Sequence, residues 1–431
     1  MEKKNITDVI ENNLCFGCGA CDTSCPSNAI KFTYTSIGRL LPEIDNKACN
    51  LCGICFSVCP GIDIQNIIVK KEINPFYGEY LEAYVGKTFN EEIYNNAQSG
   101  GMATEVLSYL FDNENIDAAI VCKMDYAFEP AALYFIARSK EEIRMCQKSI
   151  YTPVNLVSAL KFTQNYKSIA VIGIPCHIQG IISLQGRNPR KYSNISFLLG
   201  LICDQNLSES LNGFLLGMAP IKDKCKIIYK DKFSPDYKNA NVTIRTINDI
   251  KYEIITASER HFLKSYLAPP RCLLCFDKMN IHADIVFGDP WGIKGIDKEK
   301  GESLVITRTK KGQGLIDDVM LSERALLRKV SYQDATTGQG IEKRAQRTKG
   351  AIEAYETLGF LTPSYTGTLN FFISDKPAIY NQKEICDYLS LEKKPREAII
   401  RYLKKKVKKK KYKSRVKQII KTVLLVKLWR K

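Results

Sequence analysis

Short apolar stretches of strand length recur through the middle of the chain: Ala118 to Val121, Ser168 to Ile174, Ile195 to Ile202 and Ala283 to Gly288. Between several of them apolar positions return at helical spacing, over Met102 to Phe111, Pro153 to Gln164 and Leu207 to Gly217. Strands alternating with helices predict an α/β body with a mainly parallel sheet covered by helices. The first 60 or so residues lack this rhythm and are punctuated by cysteine, glycine and proline, the pattern of a small separate module. At the other end Val416, Ile419, Ile420, Val423, Leu424 and Trp429 mark one apolar stripe along a helix that follows a lysine-rich stretch. The expected organisation is a front module over 1–72, a body over 73–345, a helical extension over 346–400 and a basic amphipathic tail over 401–431.

Length agrees with this division, since 431 residues suit two to three domains. A hydrophobic fraction of 45% beside 25% charged residues is ordinary for a soluble globular protein. Met1 to Glu11 is polar and mixed in charge, unlike a secretory signal. No apolar stretch reaches the ~20 residues of a membrane span; Thr422 to Leu428 is too short and contains Lys427. A cytoplasmic protein is the expectation. The net charge of +17 is a property of the tail: Arg401 to Lys431 holds 15 Lys or Arg and no acid, so the other 400 residues carry only +2.

Sixteen cysteines without an export signal argue for metal ligation over disulfides. Histidine is limited to His177, His261 and His282, which leaves little for His-rich metal sites or a catalytic triad. Neither a Walker A loop nor a GxGxxG opening a helix after a strand is present.

The strongest signal is Cys15-x2-Cys18-x2-Cys21-x3-Cys25-Pro26, repeated as Cys49-x2-Cys52-x2-Cys55-x3-Cys59-Pro60. This is the spacing of bacterial two-cluster ferredoxins. Three thiolates two residues apart wrap one tight loop around a cuboidal cluster, with Gly17, Gly19 and Gly53 easing the turns. The fourth cysteine of each run ligates the other cluster. One [4Fe–4S] cluster is thus expected on Cys15, Cys18, Cys21 and Cys59, and the other on Cys49, Cys52, Cys55 and Cys25. Zinc is the competing occupant, but it favours CxxC pairs and closes at four ligands.

A second constellation lies in the body. Cys176 and Cys203 each fall just past a predicted strand, where ligands of open α/β sheets bind. Arg271-Cys272-x2-Cys275 adds a chelating pair, and the four thiols together make a candidate third [4Fe–4S] site; the bland alternative is that Cys176 and Cys203 are buried small apolar residues. Cys122, Cys146, Cys225 and Cys386 have no such context. Ser99-Gly100-Gly101-Met102-Ala103-Thr104 opens a helix, with Ser99 able to cap it and the glycines able to admit a phosphate, though an ordinary cap reads the same way.

Taken together, Ser99-Gly100-Gly101-x2-Thr104, Lys148-Ser149-x-Tyr151, Gly173-x-Pro175-Cys176, Gly200-Leu201-x-Cys203, Arg271-Cys272-x2-Cys275 and Ala283-Asp284-x3-Gly288-Asp289-x-Trp291-Gly292 resemble the family of coenzyme F420 hydrogenase/dehydrogenase beta subunits. The resemblance runs from about Val85 to about Gln346 and implies a flavoprotein whose FAD exchanges electrons with iron–sulfur clusters and with coenzyme F420 or another hydride carrier. It also implies that FAD contacts fall on Ser99, Gly100, Gly101, Thr104, Ser149 and Tyr151. Hydride transfer to a flavin needs no side-chain acid or base, so no catalytic residue is assigned; His177 is either a tuning or proton-donating group or a structural one. The extension from Gly350 to Lys431 has no counterpart in this pattern.

The expected activity is an oxidoreductase passing electrons between a hydride carrier at FAD and the clusters, with ferredoxin or another redox protein as partner. A ferredoxin-driven reductase of an organic substrate, for instance in surface-polysaccharide synthesis, and a non-catalytic electron-carrying protein are the rivals. Lysines beside an apolar face ending in Trp429 fit a helix on an anionic membrane surface, which would seat the protein on the inner membrane face. A nucleic-acid arm and a solvated tail are the other readings, the first disfavoured by the apolar stripe.

Overall fold

Two-residue alternation sorts the side chains of the central sheet onto two faces. Ala118 and Ile120 enter one apolar core while Ala119 and Val121 enter another, and Ile169 and Val171 are split from Ala170 in the same way. The structure, a computed structural model, describes residues 4–62, 73–126, 130–219, 224–232, 241–246, 248–370, 372–373, 375, 377–379 and 381–429, with backbone alone from 414 onward. The expected boundary at 72/73 and the side chains of the expected stripe from Val416 to Trp429 lie outside the described residues.

The front module places an antiparallel hairpin, β1 (Ile30–Tyr34) and β2 (Leu40–Ile44), between its two cysteine runs. The body contributes β3 (Glu82–Thr88), β4 (Ala118–Asp125), β5 (Ala131–Ala137), β6 (Ile169–Gly173) and β7 (Ile195–Leu201). A separate antiparallel sheet of β8 (Cys225–Tyr229), β9 (Val242–Thr246) and β10 (Lys251–Ile255) interrupts it, and β11 (Ile285–Gly288), β12 (Ser303–Thr307) and β13 (Ala325–Lys329) then complete the main sheet. In space the eight main strands run β13, β3, β12, β11, β7, β6, β4, β5.

Only β4–β6, β6–β7 and β7–β11 pair in parallel; β4–β5, β11–β12, β12–β3 and β3–β13 are antiparallel. The sheet is therefore mixed, which corrects the mainly parallel expectation. The connection from β4 to β5 is too short for a crossover, and β11 passes to β12 without a helix, so both return antiparallel. The parallel centre is the part that positions chemistry. Cys176 follows the end of β6 and Cys203 the end of β7.

The helix expected over Pro153 to Gln164 is instead a 3₁₀ segment, Leu156–Phe162. The front module takes the backbone groups an α-helix would need there: Val157 donates its N–H to the Cys18 carbonyl at 3.0 Å, and its own carbonyl accepts the Thr23 hydroxyl at 2.8 Å. Cys18, Ala20 and Val58 share a core with Leu156, Val157, Ile178 and the sheet residues above, so module and body are packed together.

The C-terminal extension closes over both. Ala351, Ala354 and Tyr355 of the helix Ile341–Thr357 pack on the front module, where the Tyr355 hydroxyl donates to the Asn13 carbonyl at 3.0 Å. The last helix begins at Arg396 and continues to Trp429; its Ile399, Leu403 and Val407 are buried against the core of the three-stranded sheet. Among the described residues no helix is long and apolar enough to cross a membrane.

Candidate functional site

The cysteines of the front module sort into two groups that cross between the runs. Cys15, Cys18, Cys21 and Cys59 are buried, and each of the latter three feels the charge of others in that set. Cys25 falls instead with Cys52 and Cys55, and these three line one small cleft with Cys49. Chain geometry explains the crossing. Gly17, Gly19 and Gly53 adopt positive φ, which folds the first three cysteines of each run inward. The fourth cysteine leaves that loop and reaches the neighbouring group.

The third group comes from three separate elements. Cys176 occupies the first turn of the helix Pro175–Arg187, Cys203 follows β7, and Cys272 lies in the short helix Pro270–Leu273 ahead of Cys275. Cys203, Cys272 and Cys275 all act electrostatically on Cys176, and so does Cys18 of the front module. Cys176 therefore stands next to the first buried group. Cys203 in turn lines a cavity of about 350 Å³ above the sheet.

Burial pushes the Cys18 thiol up to about 12 and the Cys275 thiol up to about 11, and it drives Cys21, Cys59, Cys176 and Cys203 upward too, with neighbouring sulfurs adding to the shift. Thiols gathered in this way ligate as thiolates only if cationic metal supplies the missing charge. Among the described residues no three His, Cys, Asp or Glu side chains could hold a single metal ion. Backbone N–H groups are already aimed at sulfur: Gly17 to Cys15, Ala29 to Cys25 and Gly61 to Cys59, each at 3.3 Å. Such bonds favour the anionic sulfur and tune cluster potentials. An all-sulfur donor set in groups of four fits [4Fe–4S] clusters.

Ser99, Gly101, Thr104, Ser149 and Tyr151 also line the cavity. The N-cap of the helix Met102–Asp112 is Gly101, at φ +81, with no side-chain cap bond, which corrects the expectation that Ser99 caps it. Ser99 instead donates its hydroxyl to Asp289. Gly100 faces the sheet: a Cβ there would meet the Gly86 carbonyl oxygen at 2.2 Å and the Ser303 nitrogen at 2.5 Å. Its smallness serves the crossing of backbones. Tyr151 is packed edge-on against Tyr229 at 4.7 Å between ring centres, with the Arg260 guanidinium 4.5 Å from its own. His177 reaches the cavity from the same helix as Cys176; its Nε2 meets the Val154 carbonyl at 2.9 Å, and burial lowers it to about 4, so it is neutral at pH 7.

Cationic residues outside the expected contacts gather beside Ser99. Lys232 donates to the carbonyls of Tyr94 and Ser99 at 2.8 and 2.5 Å and lies 3.7 Å from the centre of the Tyr94 ring. Lys230 pairs with Asp289 at 3.0 Å. Lys148, in a resemblance motif but not among the expected contacts, lines the cavity at φ +94. On the cavity wall, Asp204 follows Cys203 and pairs with Arg344 at 3.0 Å and with Lys264, which also lines the cavity. Burial opposes its ionisation, but Arg344, Lys264 and Lys278 outweigh that and hold it well below the usual carboxylate range.

Comparison with known proteins assigns both the front module and the body to known families. Residues 14–61 match the model of a 4Fe-4S dicluster domain. Residues 83–161 match the N-terminal model, and residues 166–332 the C-terminal model, for beta subunits of coenzyme F420 hydrogenase/dehydrogenase. A coenzyme F420-dependent sulfite reductase of Methanocaldococcus jannaschii is 27% identical over 352 residues, which cover 77% of this chain and 50% of that protein. This chain thus spans half the length of that relative. The F subunit of the F(420)H(2) dehydrogenase of Methanosarcina mazei is 24% identical, over 73% of this chain and 84% of that one. A chain of the F420-reducing [NiFe] hydrogenase complex from Methanosarcina barkeri shares the fold, with a TM-score of 0.50 at 21% identity, covering 66% of this chain and 92% of that one. With two adjoining family segments over the sheet and a dicluster domain ahead of them, the chain belongs to the family of coenzyme F420 hydrogenase/dehydrogenase beta subunits.

Proposed function

We propose that the protein is an iron–sulfur flavoprotein oxidoreductase that moves electrons between a hydride carrier, coenzyme F420 or a similar compound, and a single-electron protein partner. The observation that carries this reading is a continuous series of thiol groups leading from the surface to the cavity. Cys52 is exposed, the group of Cys15, Cys18, Cys21 and Cys59 is buried, Cys18 adjoins Cys176, and Cys203 lines the cavity wall. Buried steps between an exposed and an enclosed end suit electron transfer and serve no evident structural need.

In this reading Cys25, Cys49, Cys52 and Cys55 hold the outer [4Fe–4S] cluster, Cys15, Cys18, Cys21 and Cys59 the inner one, and Cys176, Cys203, Cys272 and Cys275 a third. The partner, ferredoxin or a comparable carrier, docks where Leu51 and Cys52 are exposed. FAD occupies the cavity against Ser99, Gly101, Thr104, Ser149 and Tyr151, with Gly100 supporting the turn from behind. When bound, the flavin supplies the conversion between hydride and single electrons. The chain's own part is to set geometry and charge. Lys148 on the cavity wall faces anionic groups, with Lys230 and Lys232 adding positive charge from beside Ser99 and Asp289, and neutral His177 and the apolar walls limit water around the reacting ring.

Anaerobic reconstitution of the full chain, with assay of iron, acid-labile sulfide and flavin, tests this. About twelve iron and one FAD per chain are expected. Zinc without sulfide, or clusters without flavin, would overturn the reading.

A further inference from the structure

We infer that Arg271 is a shared counter-charge for the inner and third thiol groups, setting the reduction potentials of the clusters they hold. This rests on the proposed three-cluster arrangement and adds a function for a residue with no assigned role.

Arg271 is fully buried. Its Nε donates to the Gly61 carbonyl at 3.1 Å and its Nη2 to the Pro60 carbonyl at 3.3 Å, both just after Cys59; Nη2 also donates to the Tyr365 hydroxyl. The guanidinium lies 4.1 Å from the centre of the Phe16 ring, beside Cys15. The side chain is thus clasped by the loops of the inner group, while its backbone leads directly into Cys272 and Cys275. It stands at the junction of the two.

Three arginines approach these thiols, and their partners distinguish them. Arg39 faces Glu392 at 3.8 Å and Arg344 faces Asp204 at 3.0 Å. Arg271 has no carboxylate partner among the described residues, and its buried Nη1 has no hydrogen-bond acceptor. A guanidinium does not shed its proton in a protein, so this charge persists in a dry site and requires an anion. The anionic groups nearest to it are sulfurs: the Pro60 and Gly61 carbonyls it holds directly follow Cys59, the Phe16 ring beside its guanidinium follows Cys15, and its own backbone continues into Cys272. Two four-thiolate clusters, each negative, supply the missing partner. A fixed positive charge between them stabilises whichever holds the extra electron and raises both potentials above those an uncharged side chain at this position would give. One electron passes between them, and no proton needs to move.

The test uses the anaerobically reconstituted full chain. Arg271→Gln, Arg271→Lys and Tyr365→Phe are compared by iron and sulfide content and then by redox titration followed by electron paramagnetic resonance. With iron content kept, Arg271→Gln should make one-electron reduction of the two inner clusters at least tenfold less favourable, about 59 mV, and leave the outer cluster unmoved. Tyr365→Phe, which keeps the charge and loses the hydrogen bond, should shift them far less. Unchanged potentials in Arg271→Gln, or an equal shift in Tyr365→Phe, would overturn the role of Arg271 while leaving the clusters intact. A wild-type protein with about eight iron would overturn the three-cluster reading itself, and the shared role with it. If Arg271→Gln loses its iron, Arg271→Lys decides: a buried amine can deprotonate, so its inner potentials should fall with rising pH relative to wild type. Parallel pH profiles would count against the proposal.

Discussion

Val157 donates its backbone N–H to the carbonyl of Cys18 at 3.0 Å, joining the 3₁₀ segment of the body to the first cysteine loop. The bond fixes a thiol of the front module that acts on Cys176 across the junction. Lys161 and Asp22 add an ion pair at 2.9 Å beside it. That pair is partly exposed, so it contributes orientation more than stability. A module held this way keeps a constant path for electrons, which a flexible tether would not.

Gly19 tests that docking. It adopts φ +96, and a Cβ there would meet the Ser158 Oγ at 2.6 Å, the Ser158 nitrogen at 2.7 Å and the Asn155 carbonyl at 2.8 Å. Gly359, at φ +72, has nothing within 4 Å. Gly359→Ala should lose only the left-handed penalty, roughly 1–2 kcal/mol. Gly19→Ala should lose that plus the clash, and should slow electron transfer from the outer cluster to the cavity. Urea unfolding and rapid-mixing kinetics on both variants check this; equal losses with unchanged transfer would mean the junction is not tight.

The crossing of the fourth cysteines is tested by pairs of substitutions. Cys25→Ser alone should release about four iron. Adding Cys52→Ser should release no more, because both thiols belong to one group. Adding Cys21→Ser instead should release about eight, because Cys21 belongs with Cys59. Iron assay after anaerobic desalting reads all three, and the reverse ranking would place Cys25 with its own run.

Both the local and the distant parts of the site left traces in the sequence, to different degrees. The front cysteines were legible because cluster ligation imposes short fixed spacings. Cys176 and Cys203 were legible because parallel strands end on one edge of a sheet. The antiparallel returns of β5, β12 and β13 were not, since apolar runs of strand length look alike in either direction. The neighbours of Ser99 suit a helix cap, but Asp289, 190 residues away, takes its hydroxyl instead. Lys230 and Lys232 gave no signal, because a lysine brought beside Asp289 or the Ser99 carbonyl by the tertiary fold resembles any surface lysine. Pro153 to Gln164 has a helical pattern, but the N–H of Val157 that a helix would use is claimed by Cys18.

Cys203→Ser tests the proposed third cluster apart from the other two. Cys203→Ser should lower iron by about four and uncouple the cavity from the front module, so that a hydride donor still reduces bound flavin while the outer cluster stays oxidised. Cys122 lines the same cavity with Cys146 and is the control. Cys122→Ser should keep full iron and coupling. Loss of iron in both variants, or in neither, would remove Cys203 from the path.

The lysines beside Ser99 should give the protein two opposite pH dependences from the same groups. Burial lowers Lys148 to about 8, with Arg245 and Lys251 adding and Asp231 opposing. Burial lowers Lys232 to about 7, with Lys148, Lys230 and Lys87 adding and Asp297 opposing. In the unfolded chain both titrate near ~10.4. Between about 7 and 10 the folded state binds fewer protons than the unfolded state, so this contribution to stability rises with pH and is lost as pH falls through 8 and 7. Anion binding runs the other way, since it needs the charged amines: inorganic pyrophosphate should bind the flavin-free protein more weakly as pH climbs from about 6 to about 9. Lys232→Gln should flatten both slopes, read by urea midpoints and by calorimetric titration of pyrophosphate across that range. If binding stays pH-independent in the wild type, the basic cluster is not an anion site, and Lys232 serves only to hold Ser99 and Tyr94 in place.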